Sequence, residues 1–181
     1  MNKKNNILKY KKVLTIVSVY DIDGIVDNYL IYYLSSLKSV SSRIIIVVNG
    51  ILTDKGKKRL NSITNEIYIR KNQGFDFGAY RDVIQNYLQK DELDKYQELI
   101  LCNDTCFGPF VPFKNIFLQM EREDLKFWSI NYIDDLLLPH FQSYFMVFRK
   151  EAIRLVLNFL EKEVDDKVTY MPYAHGYEHA L

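Results

Sequence analysis

The stretch Val13-Leu14-Thr15-Ile16-Val17-Ser18-Val19-Tyr20, followed by Asp21-Ile22-Asp23-Gly24, decides the fold. The run is β-branched and almost continuously apolar, with no polar alternation. A strand of this kind must be covered on both faces, which points to a parallel sheet layered between helices. The Asp and Gly residues then stop it and make a polar turn. Downstream, Tyr29, Leu30, Tyr33, Leu34 and Leu37 fall at helical spacing.

The same alternation repeats. Arg43-Ile44-Ile45-Ile46-Val47-Val48-Asn49-Gly50 reads as a second buried strand ending in a turn, followed by a polar helix with Lys55, Lys57, Lys58 and Arg59. A third strand is expected over residues 66–70, a helix over 80–89, and a fourth strand over 98–102. The order β-α-β-α-β-α-β predicts an α/β fold with a mostly parallel central sheet and helices on both faces. Further on, the pattern predicts a helix over 113–121, a strand over 126–130 and a polar loop with Asp134 and Asp135. A strand over 143–149 and an amphipathic helix over 151–163 complete it. Without repeats or Gly/Ser linkers, residues 13–181 read as one domain behind a basic flexible arm, residues 1–12.

Composition narrows the class. The 181 residues are 48% hydrophobic and 26% charged, which excludes a disordered or fibrous chain. Lys and Arg number 24 against 23 Asp and Glu, so a nucleic-acid partner held by bulk charge is not expected. No apolar run reaches the ~20 residues of a membrane span, and the start has no secretory pattern. Cys102 and Cys106 fit free thiols in a reducing compartment. The expectation is a cytoplasmic protein, with the arm (Lys3, Lys4, Lys9, Lys11, Lys12) either solvated or drawn to the inner face of an anionic membrane.

Ligands of open α/β sheets lie at the carboxyl ends of the strands. The loops of interest are therefore residues 20–27, 49–52, 71–78 and 103–109, all rich in Asp, Asn and Gly. In Asn72-Gln73-Gly74-Phe75-Asp76-Phe77-Gly78-Ala79-Tyr80-Arg81, the glycines allow a sharp turn and close backbone approach before a helix. Asp76 there either caps the helix or accepts from a nucleoside, and Arg81 either meets a diphosphate or pairs with Asp82. The spacing is neither a dinucleotide fingerprint nor a P-loop. Asn103-Asp104-Thr105 ends a buried strand, where Asp104 could anchor a divalent metal with phosphates or close an Asx turn. His140-Phe141-Gln142-Ser143-Tyr144-Phe145 could set His140 against a sugar ring, or bury it as a packed polar residue. His175-Gly176-Tyr177-Glu178-His179 matches H-x-x-E-H, a zinc-hydrolase pattern that lacks its third ligand here and otherwise reads as a helix start. Asp21-x-Asp23-Gly24 lacks the spacing of a calcium loop.

Together, Tyr20-Asp21-x-Asp23-Gly24, Asn72-x-Gly74-x-Asp76-x-Gly78-Ala79-Tyr80-Arg81, Asn103-Asp104-Thr105-x-x-Gly108-Pro109, Phe127-Trp128 and His140-x-Gln142-Ser143-Tyr144-Phe145 resemble the rhamnan synthesis protein F family of bacterial cell-surface polysaccharide assembly. The resemblance implies a GT-A-like glycosyltransferase, its nucleotide-binding half merging into an acceptor half. It implies that Tyr20, Asp21, Asp23, Asn72, Gly74, Asp76, Gly78, Arg81, Asn103 and Asp104 hold a nucleoside-diphosphate sugar. Trp128, His140, Gln142 and Tyr144 would border the sugar or acceptor, His140 counting as catalytic together with Glu178, the base. Asp104 would be the metal ligand for Mg²⁺ or Mn²⁺, although the usual Asp-x-Asp reads Asn-Asp-Thr. The expected reaction is inverting transfer of a deoxyhexose, rhamnose, to a lipid-linked or polysaccharide acceptor. The alternatives are a non-catalytic nucleotide- or glycan-binding domain and the zinc hydrolase. Because Glu178 stands three residues before the last, Leu181, the chain is expected to be the front part of a longer transferase.

Overall fold

A computed structural model describes residues 11–89, 91–134 and 139–164. Strands β1 (Val13–Val19), β2 (Arg43–Asn49), β3 (Ile67–Arg70), β4 (Glu98–Asn103), β5 (Phe127–Ser129) and β8 (Phe145–Arg149) form a six-stranded sheet in the order β3-β2-β1-β4-β8-β5. The first four are parallel. Burial follows position: β1 and β4 are buried at every residue, whereas the edge strands β3 and β5 are half covered.

Alternation along the strands sorts the core into two layers. Leu14, Ile16, Ile45, Val47, Leu99, Leu101, Met146 and Phe148 face α3 (Phe75–Asp82) and α5 (Lys150–Glu163). Val17, Val19, Ile44, Ile46, Ile100, Cys102, Phe145 and Val147 face α1 (Asn28–Leu37), α2 (Asp54–Leu60) and α4 (Phe113–Met120). Burying a Leu, Ile or Phe side chain contributes about 1.5–3 kcal/mol, so two such layers supply the main driving force.

The second half departs from a simple parallel run. β8 is inserted between β4 and β5 and runs antiparallel to both, with Cys102 opposite Phe145 and Glu98 opposite Arg149. Its first residue therefore stands at the carboxyl end of β4, and the segment before it crosses that end. That segment pairs as β6 (Tyr132–Ile133) with β7 (His140–Phe141), one strand on each side of the expected polar loop, of which Asp135 lies outside the described residues.

Three boundaries differ from the sequence reading. α3 begins at Phe75 rather than near residue 80, because Gly74 (φ 69°) and Phe75 (φ 50°) turn the chain left-handed before it coils. The helix then widens into a π turn over Val83–Tyr87. The basic arm does not extend to residue 12: Lys11 Nζ donates to Glu98 at 2.7 Å and also bonds Glu121, and the Lys12 backbone pairs with residue 97. Among the described residues no helix is long and apolar enough to cross a membrane.

Candidate functional site

At the carboxyl ends of β1, β2 and β4 lies a cavity of about 680 Å³, in the range of small-molecule sites. Its floor is built by strand ends. Asn103, the last residue of β4, donates through Nδ2 to Asp76 Oδ2 at 2.7 Å and accepts through Oδ1 from the Thr105 backbone N–H at 3.1 Å. The next carboxylate, Asp104, accepts from the Tyr20 backbone N–H at 3.1 Å, which links β4 to the end of β1. From the other half, His140, Gln142, Ser143 and Tyr144 close the wall, and the Tyr144 carbonyl accepts from the Asn103 backbone N–H at 3.3 Å. The antiparallel course of β8 is what brings this late segment onto the early strands.

The entry to α3 is strained. Phe75, a non-glycine residue at φ 50°, lines the cavity directly after the left-handed Gly74. A conformation of this kind costs about 1–3 kcal/mol and concentrates at functional sites. Behind the turn, Gly78 is required for space, since a Cβ there would lie 2.3 Å from the Gln73 carbonyl oxygen.

Electrostatically the cavity is acidic; among the described residues no Lys or Arg lines it. Burial, then the neighbouring carboxylates of Asp76 and Asp21, push the Asp104 carboxyl up to about 7, against the opposing pull of the Tyr20 N–H. Burial likewise raises the Cys102 thiol to about 12, so this cysteine is an inert core residue.

Of the residues singled out by sequence, Tyr20, Asn72, Asp76, Asn103, Asp104, His140, Gln142 and Tyr144 line the cavity together. Asp76 is not the cap of α3; it sits in the first turn and receives Asn103. Asp21 and Asp23 stay in the adjoining loop, where Asp21 Oδ1 accepts from the Asp23 and Ile25 backbone N–H groups at 3.0 and 2.8 Å. Gly74 and Gly78 shape the turn. Arg81, expected at a diphosphate, is one helical turn too far along α3 and donates to the Val164 carbonyl at the end of α5. Trp128, expected at the sugar, is 4% exposed and packs edge-on against Phe117 at 5.0 Å, because its position on β5 faces the core. Glu178 and the pair His175 and His179 lie outside the described residues. Among the described residues no group of three or more His, Cys, Asp or Glu is arranged to hold a metal.

Sequence reasoning did not single out Tyr29, Asn49, Phe75, Phe77, Thr105 or Ser143, which also line the cavity. For Asn49 the signal was present: it is the polar residue that ends a buried strand. Beside the cavity residue Tyr29, the surface next to α1 is apolar. Phe110 (92% exposed), Phe107 and Val111 project from the segment after β4, Tyr29 packs on Phe107 at 4.7 Å, and Tyr32 Oη donates to the Pro109 carbonyl at 3.1 Å.

Comparison with known proteins gives three findings. A family model described as rhamnan synthesis protein F matches residues 44–166. The chain is 26% identical over 143 residues to the uncharacterized protein y4gN of Sinorhizobium fredii, covering 77% of this chain and 37% of that protein. The chain thus spans little more than a third of the length of this curated relative. The crystal structure of 4-diphosphocytidyl-2C-methyl-D-erythritol synthase from Anaerococcus prevotii superposes with a TM-score of 0.55 at 14% identity, covering 98% of this chain and 85% of that one. The two share a fold.

Proposed function

The chain belongs to the rhamnan synthesis protein F family, and from that premise and the cavity we propose that it is an inverting glycosyltransferase of bacterial surface polysaccharide synthesis. It moves a deoxyhexose, rhamnose, from a nucleoside diphosphate to a lipid-linked or polysaccharide acceptor. The observation that carries this reading is the convergence of Asp76, Asn103 and Asp104 from the first half with His140, Gln142 and Tyr144 from the second around one cavity. A donor and an acceptor must meet in one place, and here the two halves of the chain do. The name of the structural neighbour, a diphosphocytidyl compound's synthase, is in keeping with a nucleotide-derived ligand on this fold.

In this reading Tyr20, Asn72, Asp76 and Asn103 hold the nucleoside side of the donor, and Gln142 and Tyr144 border the sugar or acceptor. Glu178 takes the proton of the acceptor hydroxyl, a role worth about 10²–10⁴-fold in rate. The hard oxygens of Asp104, beside Asp76, suit Mg²⁺ or Mn²⁺ completed by phosphate oxygens and water, since a cation offsets the burial and the neighbouring carboxylates that raise Asp104. Such an ion would supply positive charge to the leaving diphosphate. The exposed Phe107, packed on the cavity residue Tyr29, and the exposed Phe110 that follows it favour an acceptor with an apolar part.

The test is transfer with nucleotide-sugar donors by wild type, Glu178→Gln and Asp104→Ala. Loss of about 100-fold or more in both variants, with Glu178→Gln still binding nucleotide, is expected. Full activity in both would overturn the assignment. Nucleotide binding without transfer by the wild type would mark a non-catalytic binding domain.

A further inference from the structure

Arg70, the last residue of β3, has a side chain only 6% exposed, yet it does not line the cavity. Its guanidinium ties three elements. Nη1 donates to Asn49 Oδ1 at the end of β2 (2.6 Å), Nη2 to the Gln73 carbonyl in the turn before α3 (2.6 Å), and Nε to Asp82 Oδ2 at the end of α3 (2.5 Å). A guanidinium has donors and no acceptor, so the amide oxygen of Asn49 must face it. The Asn49 amide nitrogen then faces the other way and donates one hydrogen to Ser18 Oγ at 2.8 Å. Among the described residues Ser18 Oγ is the acceptor of this amide, which leaves its second hydrogen for a ligand, and Asn49 lines the cavity. The neighbouring floor groups Asp76 and Asp104 are acceptors, so the choice between amide oxygen and amide N–H decides what a ligand meets on this wall.

We propose that Arg70 is a positioning residue that sets the polarity of the cavity, holding Asn49 so that it offers an N–H to an acceptor oxygen of the ligand, a base carbonyl or a ribose oxygen. This rests on the nucleotide reading given above. The same guanidinium pins the Gln73 carbonyl, so it also fixes the turn that carries Asn72 and the left-handed Phe75.

Three variants and one binding measurement test it. Asn49→Asp keeps an acceptor for Arg70 and for the Ser18 hydroxyl, so the fold holds, but it removes the N–H. Asn49→Leu removes the donor without adding charge. Arg70→Lys offers a single ammonium that cannot span three acceptors. Each is titrated calorimetrically with uridine, thymidine, guanosine and adenosine diphosphates, with thermal melting measured alongside. We expect about tenfold or greater loss of affinity in all three for whichever diphosphate binds the wild type. Asn49→Asp should melt within about 3 °C of wild type, roughly what one kcal/mol would shift. A purely structural role would lower melting temperature while leaving affinity per folded molecule intact. Affinity within twofold of wild type in Asn49→Asp and Asn49→Leu would overturn the inference and leave the nucleotide reading standing. A wild type that binds none of the four diphosphates would overturn the nucleotide reading, and this inference with it.

Discussion

The side-chain amide of Asn103 donates to the Asp76 carboxylate at 2.7 Å, joining the end of β4 to the first turn of α3 across the floor of the cavity. The bond explains why this strand ends in an amide followed by a carboxylate: a second carboxylate at 103 would face Asp76 directly. Asn103→Asp is therefore expected to be neutral below about pH 4, where one proton is shared. Above about pH 6 it should lose about 2–3 kcal/mol to like-charge repulsion. Thermal melts at both pH values check this, and added Mn²⁺ should return part of the loss.

Asp104 gives the opposite sign. Its carboxyl rises from 3.8 to about 7 on folding, so between those values the native state holds a proton that the unfolded chain does not. Wild-type stability then falls as pH rises from 4 to 7 and stays lower above. Asp104→Asn removes the penalty. It should be more stable than wild type by about 2 kcal/mol at pH 8, roughly half of the full shift because the carboxylate keeps some water contact, and equal to it at pH 4. Urea unfolding in metal-free buffer at the two pH values measures the difference.

Gly78→Ala sets helix propensity against space. Alanine favours the helix by about 1 kcal/mol, but its methyl would meet the Gln73 carbonyl oxygen at 2.3 Å and Arg70 Nη2 at 3.4 Å. Backbone cannot move aside cheaply, so a net loss of about 2 kcal/mol is expected in chemical denaturation. Nucleotide affinity should fall with it, because the displaced turn carries Asn72.

Phe110 is almost fully exposed, three residues after Phe107, whose ring packs on the cavity residue Tyr29. Phe110→Ser should leave stability within about 0.5 kcal/mol of wild type. Transfer to a lipid-linked acceptor should drop severalfold, with transfer to a short soluble sugar unchanged. Equal losses on both acceptors would place Phe110 outside acceptor binding.

What the sequence made legible follows from range. β1, β2 and β4 announce themselves because a strand buried on both faces needs an unbroken apolar run, and the strand-end rule then points at Asp76, Asn103 and Asp104. The insertion of β8 between β4 and β5 leaves no local mark, since Phe145 pairs with Cys102 from far along the chain. The start of α3 was hidden by Phe75, whose left-handed backbone no propensity anticipates. Two arginines also traded places. Arg81 stood nearer the glycines in sequence, but Arg70 ties the turn to the cavity residue Asn49 because β3 ends beside β2, a relation that only the sheet order supplies.

β1 also gives the molecule two unlike poles. Val13 starts it beside Ser42 and residue 97, and Tyr20 follows it at the cavity. At about 3.3 Å per residue these poles are some 20 Å apart. Lys11 is thus held at the pole opposite the cavity, where Glu98 and Glu121 grip it. A sensor-chip linkage made on that pole would hold the molecule by its back and leave the cavity facing the solution.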